Sequence, residues 1–116
     1  MVSSVRAEEA LARLDPAERR AVEELRDRLR AEYGPRLRDL RLFGSKVRGD
    51  DHDESDIDVL VLIDGCDPST FRDVVHLAYS ISSSLSPLVS DFDSYHSPIS
   101  RASGLYRELR KESVRL

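Results

Sequence analysis

A chain of 116 residues, 34% charged and 40% hydrophobic, has the size and balance of one folded domain able to bury roughly two thirds of its unfolded surface. Its net charge of −4 argues against a general nucleic-acid or anionic-membrane binder, no apolar run approaches a membrane span, and no apolar leader core follows Met1. The single cysteine, Cys66, cannot close an internal disulfide, which fits a reducing, cytoplasmic setting and a packing role for the thiol.

Residues 4–14 read as a short helix with Ser3 or Ser4 as N-cap and a thin apolar stripe of Val5, Leu11 and Leu14. Asp15-Pro16-Ala17-Glu18 restarts a helix: Asp15 can cap, Pro16 suits the first helical position, and Glu18 completes a capping box. Val22, Leu25 and Leu29 give this helix its buried face as far as Tyr33, where Gly34-Pro35 stops it. Leu37 to Phe43 reads as a strand with Leu40 and Leu42 on one face. Gly44-Ser45 breaks it, residues 45–50 allow one or two helical turns, and 51–55 read as loop.

Ile57 to Ile63 is a nearly continuous apolar run, expected to be a central strand covered on both faces. Asp67-Pro68 opens a helix to about Ser83, with Phe71, Val74, Val75, Ala78 and Ile81 as its buried stripe. Pro87 to Phe92 reads as a third strand, 101–111 as a last helix carrying Leu105, Tyr106 and Leu109, and 114–116 as a tail. The order predicts an α/β (α+β) fold, a small mixed sheet packed with helices, in one domain over residues 1–116.

Six carboxylates crowd the nine positions from Asp50 to Asp58, directly before the apolar strand. Asp50, Asp51, Asp53 and Glu54 read as a solvated loop. A calcium-loop reading of Asp51, Asp53 and Ser55 fails, because the sixth position is Asp56 rather than glycine and the twelfth is Leu62 rather than glutamate. Asp56 and Asp58 differ from their neighbours. They stand two apart at the start of a strand, so their side chains point to the same face. At about 5 Å and an effective dielectric near 20, their repulsion is on the order of 3 kcal/mol, and a divalent cation removes it. Mg²⁺ suits the pair, since it takes one or two protein carboxylates and completes its shell with substrate phosphates and water.

The Gly-Ser turn offers a second half-site. Gly44 lets backbone approach a ligand, Ser45 supplies a hydroxyl and an amide suited to phosphate, and Lys46 and Arg48 lie nearby to balance charge. Ten residues separate Ser45 from Asp56, enough to cross to a neighbouring strand so that the half-sites meet. The three histidines match no zinc spacing; His96, near Asp93, is the one that could touch the site.

Gly44-Ser45, ten residues, then Asp56-Ile57-Asp58 resembles the signature of the nucleotidyltransferase superfamily that includes DNA polymerase beta, and within it the minimal nucleotidyltransferase (MNT) domains. Gly44, Ser45 and Gly49 fill the G-S-x-x-x-G pattern; Ser55, Asp56 and Asp58 fill S-D-x-D. The motif match spans about residues 42–63, with a looser similarity of element order over most of the chain.

The resemblance implies a palm-like fold. Asp56 and Asp58 would hold Mg²⁺, Gly44 and Ser45 would hold the β and γ phosphates of ATP or another nucleoside triphosphate, and Gly49 would close the short helix. Lys46 and Arg48 would assist. A third carboxylate is expected from the third strand, with Asp91 and then Asp93 as candidates, although the family's acid often sits nearer the strand's beginning, where this chain has Ser86. The implied reaction moves a nucleoside monophosphate, AMP from ATP, to a protein or other acceptor, with nucleic acid only as such an acceptor. The short chain is expected to have its acceptor site completed by a HEPN-type partner protein or a second copy, as the antitoxin of a toxin–antitoxin pair. The alternative is a degenerate transferase that binds and neutralises a partner.

Overall fold

The computed structural model describes residues 2–48 and 56–116. Helix α1 spans Val2–Arg13 and helix α2 Pro16–Tyr33, followed by a single 3-10 turn at Gly34–Arg36. The capping box forms as the sequence predicts: the Glu18 amide donates to Asp15 Oδ1 at 2.8 Å, and the Asp15 amide donates to Glu18 Oε1 at 3.1 Å. Strand β1 (Leu37–Phe43) leads into the one-turn helix α3 (Ser45–Arg48). Strand β2 (Ile57–Ile63) crosses through helix α4 (Pro68–Ile81) to strand β3 (Leu85–Asp91). Short helices α5 (Phe92–Tyr95) and α6 (Pro98–Arg101) precede helix α7 (Gly104–Glu112) and the two-residue strand β4 (Val114–Arg115).

The strands form one mixed sheet in the order β3-β2-β1-β4. β1 pairs antiparallel with β2 and with β4, whereas β2 and β3 run parallel. A parallel pair needs a crossover, and α4 is that crossover. β2 is central, and all its residues except Asp58 are buried. Each Val, Leu or Ile buried there contributes about 1.5–3 kcal/mol relative to exposure.

The two faces of the sheet are dressed differently. Leu40, Leu42, Val59, Val61 and Ile63 pack against α1, α2 and α4 through Leu11, Leu25, Leu29, Val74 and Ala78. The alternate residues Leu60 and Leu62 face the other way and meet Leu109 of α7, with Phe43, Leu88, Phe92 and Tyr95 around them. Strand alternation puts Asp58 on this second, thinner side.

Four expectations change. Residues 114–116 are not a tail: Val114 and Arg115 pair with Leu42 and Arg41, and Val114 is buried. The third strand begins at Leu85 rather than Pro87, because its pairing with β2 starts at Ile57↔Leu85. Phe71 is 48% exposed rather than part of the buried stripe, which rests on Val74 and Ala78. The last helix starts at Gly104 rather than 101, because the Ser103 side chain accepts from the Tyr106 amide at 3.1 Å and caps it, and a separate short helix, Pro98–Arg101, precedes it. No helix among the described residues is long and apolar enough to cross a membrane.

Candidate active site

The β1–β2 pairing closes at Phe43↔Asp58, so Gly44 leaves β1 directly beside the Asp58 side chain. Gly44 has φ 81°, in the left-handed region that favours glycine. A Cβ there would collide with Asp58 Oδ2 and lie 3.3 Å from Asp58 Cγ. The backbone of the first half-site therefore packs onto the carboxylate of the second. Ser45 follows as the first residue of α3, whose turn closes with the Val47 amide donating to the Gly44 carbonyl at 3.1 Å.

The Gly44-Ser45 turn and Asp58 open onto one cleft of about 290 Å³, lined on the sheet side by Phe43, Gly44, Ser45 and Asp58 and not by Asp56. Its other wall is α7, with Leu105, Glu108, Leu109 and Glu112. The α7 wall was not legible as part of the site. Glu108 and Glu112 are four apart on an amphipathic helix, a pattern that reads as a solvated face. Asp56 lies immediately before β2 and is exposed.

Opposite Asp58, on the parallel neighbour β3, stands Ser86. Asp91 pairs instead with Ile63, at the far end of the strand. Five residues of strand separate the two positions, about 16 Å. The expectation that Asp91 joins Asp56 and Asp58 is thus corrected by the register. Its carboxylate is occupied elsewhere: Oδ1 accepts from the Cys66 amide at 3.0 Å, and Oδ2 accepts from the Ser94 amide at 3.2 Å and the Ser94 hydroxyl at 3.3 Å. Those backbone donors, the Cys66 amide first, hold the Asp91 carboxyl below the usual carboxylate range. Asp93 lies one turn further, exposed in the first turn of α5. Burial, and then the nearby Asp91 and Asp67 charges, push the Cys66 thiol up, in keeping with a packing role rather than a nucleophilic one.

Lys46 is also placed differently from expectation. Its side chain is 2% exposed, and Nζ lies 2.6 Å from Glu18 Oε2. The capping-box glutamate of α2 thus holds the base of α3, and Arg13 adds a hydrogen bond from Nη1 to the Val47 carbonyl at 2.9 Å. Lys46 is better placed to fix the Gly44-Ser45 turn than to meet a nucleotide. Gly49 and Ser55 lie outside the described residues, as does the acidic stretch 50–54. Arg48 ends α3. His96 sits away from the cleft, hydrogen-bonded through Nδ1 to the Tyr106 hydroxyl at 3.0 Å.

Residues 22–93 match the nucleotidyltransferase domain family. The chain belongs to that family. A Methanocaldococcus jannaschii protein named a candidate protein adenylyltransferase is 43% identical over 47 residues, 40% of this chain and 47% of that protein. The match thus spans about half the length of that curated relative. A chain from a toxin–antitoxin crystal structure with AMP-PNP shares the fold, with TM-score 0.56 and 24% identity over 80% of this chain and 70% of that one. A candidate nucleotidyltransferase from Sulfolobus solfataricus gives TM-score 0.46 and 28% identity, covering 74% of each chain.

In this nucleotidyltransferase domain the donors suit one mode of metal binding and not another. Among the described residues no group of three or more His, Cys, Asp or Glu side chains is placed to hold a metal ion. A dedicated all-protein cage is therefore not built from them. The Asp56/Asp58 pair does suit Mg²⁺ held by one or two carboxylates and completed by phosphates and water. Asp58 lines the cleft beside the Gly44-Ser45 turn.

Proposed function

We propose that this domain transfers a nucleoside monophosphate, AMP from ATP, onto a hydroxyl of a protein acceptor, with Mg²⁺ held by Asp56 and Asp58. The observation that carries the reading is the packing of the Gly44 backbone onto the Asp58 carboxylate at one end of the β1–β2 pair. It sets the Gly44-Ser45 turn and Asp58, two parts of the family motif, on one cleft, which supports the reading. Gly44 and Ser45 orient the β and γ phosphates. Lys46 and Glu18 keep that turn rigid from behind. The acceptor hydroxyl oxygen forms a bond to the α phosphorus as its proton passes to solvent water, the bond to the bridging oxygen breaks, and pyrophosphate leaves. The bound cation would supply charge stabilisation on the phosphoryl oxygens and leaving group. Positioning and electrostatics then carry the catalysis, as is general for phosphoryl transfer.

The acceptor is a partner protein of the HEPN type, on the motif resemblance to minimal nucleotidyltransferases. A chain of this fold in a toxin–antitoxin structure with AMP-PNP supports a nucleotide and a partner protein, though not the partner's type. One observation favours the second reading, a binding module with little turnover: the residue facing Asp58 is Ser86, not an acid.

Calorimetric titration of ATP in Mg²⁺, in EDTA and with Asp58→Asn tests the first reading. Binding that requires both Mg²⁺ and Asp58, with label transfer from α-labelled ATP to the partner, is the expected result. Partner neutralisation unchanged by Asp58→Asn, with no label transferred, would establish the binding module instead.

A further inference from the structure

The Asp58 face of the sheet carries a second cavity, of about 360 Å³, under α5, α6 and α7. Three arginines line it: Arg41 from β1, Arg101 from α6 and Arg110 from α7. Arg41 is already neutralised. Its Nε lies 2.8 Å from Asp39 Oδ2, and its Nη1 donates to Ser113 Oγ at 3.2 Å. Asp39, the only acid among the described lining residues, is further drawn by Arg115 at 3.7 Å. Arg101 and Arg110 have no ion-pair partner among the described residues, and Arg110 rests over the Tyr106 ring at 6.0 Å. The cavity therefore holds two guanidinium charges in excess of its acids. Burial, and then Arg101, lower the proton affinity of His96; Asp39 opposes this, and Arg110 and Arg41 add to it.

We infer that this cavity is a second ligand site, distinct from the transfer cleft, that takes the phosphate monoester group of a small molecule between Arg101 and Arg110. A carboxylate would balance one of the two guanidinium charges. A phosphate monoester carries about −1.5 to −2 at neutral pH and offers three acceptor oxygens, which match two planar arginine forks. The Tyr106 hydroxyl and the His96 ring supply further polar contacts at the cavity wall. Leu109 lines both this cavity and the Asp58 cleft, so the two sites adjoin across one side chain.

The test uses the full chain with Asp58→Asn and EDTA, so that the transfer cleft does not contribute. Inorganic phosphate, ribose 5-phosphate and AMP are titrated by calorimetry. Binding is expected for all three, weakened about tenfold or more by Arg101→Gln or Arg110→Gln and further by both together, since a charge-assisted hydrogen bond contributes roughly 1.5–3 kcal/mol. Both arginines are exposed, so the variants should retain the wild-type circular dichroism and melting temperature. Equal affinity for the three probes would assign the phosphate group alone, and tighter AMP would assign a nucleotide as source. Absence of heat for all three at about tenfold above a millimolar dissociation constant, or binding indifferent to both arginine variants, overturns the proposal.

Discussion

Asp58 on β2 and Ser86 on β3 face each other in parallel register, on the side of the sheet that opens to the cleft. On the proposed function, a serine here leaves the cation to the carboxylates of β2 and its lead-in. It also makes Ser86 the natural place to add charge. Neighbouring strands lie about 4.8 Å apart, so an aspartate at 86 would repel Asp58 by up to about 3 kcal/mol at an effective dielectric near 20, less where water screens it. Ser86→Asp is expected to lower the melting temperature in EDTA, to recover it on adding Mg²⁺, and to tighten Mg²⁺ binding with ATP by about tenfold. Unchanged or weaker Mg²⁺ affinity would show that Ser86 does not border the metal position.

Asp91 provides the opposite control. Because it lies at the far end of β3, Asp91→Asn should leave ATP binding within about twofold of wild type, whereas Asp58→Asn removes it. The Asp91 substitution acts on stability instead, and with a defined pH dependence. Its folded-state pKa is held below the unfolded value by the Cys66 and Ser94 donors, so its charged form stabilises the fold. That contribution is fully present above the unfolded pKa of about 3.9 and is lost as pH falls through the lower folded value. Melting curves of wild type and Asp91→Asn should therefore differ at neutral pH and converge in acid. A gap that widens in acid would contradict this assignment.

The sequence was most legible where local chemistry decides structure. Asp15-Pro16-Ala17-Glu18 could only open a helix, and the Ile57–Ile63 run could only be buried. Gly44-Ser45 and Asp56-x-Asp58 pointed to one another because strand periodicity and the ten-residue spacing allowed it. Register was not legible. Whether Ser86 or Asp91 meets Asp58 depends on where β3 starts, and Ser82-Ser83-Ser84-Leu85 carries no strong signal for a boundary. The same holds for β4, where two residues are too few for periodicity, and for the acids of α7, whose role depends on how α7 docks. Lys46 looked like a phosphate ligand by proximity in sequence; only the position of α2 reveals Glu18 beside it.

Gly44→Ala tests the contact on which the site is built. The new methyl meets Asp58 Oδ2 and must also adopt φ 81°, a region that costs a residue with a Cβ about 1–2 kcal/mol. Asp58 has to turn away or the turn has to shift. The expected outcome is a loss of Mg²⁺-dependent ATP binding of at least about tenfold, with a drop of a few degrees in melting temperature. Stability that falls while ATP affinity stays at the wild-type level would mean that the Gly44–Asp58 contact serves folding alone.

The Lys46–Glu18 pair is the last point at which the site can be separated from its scaffold. Lys46 is buried and Glu18 part-buried, so removing one member weakens the attraction that offsets the other's desolvation; values of about 3–5 kcal/mol are usual for fully buried pairs, and less is expected here. Glu18 also accepts from the Asp15 amide, so Glu18→Gln is the cleaner single change: it keeps an acceptor for the cap and removes the charge opposite Lys46. Glu18→Gln and Lys46→Met should each destabilise by about 1–3 kcal/mol in urea. The double variant Glu18→Gln/Lys46→Met should lose less than the sum of the two single changes. If Lys46 acts only by holding the α3 turn through Glu18, Glu18→Gln and Lys46→Met lower ATP affinity to a similar extent and the double variant lowers it little further. A double variant that is stable yet fails to bind ATP would instead return Lys46 to the nucleotide.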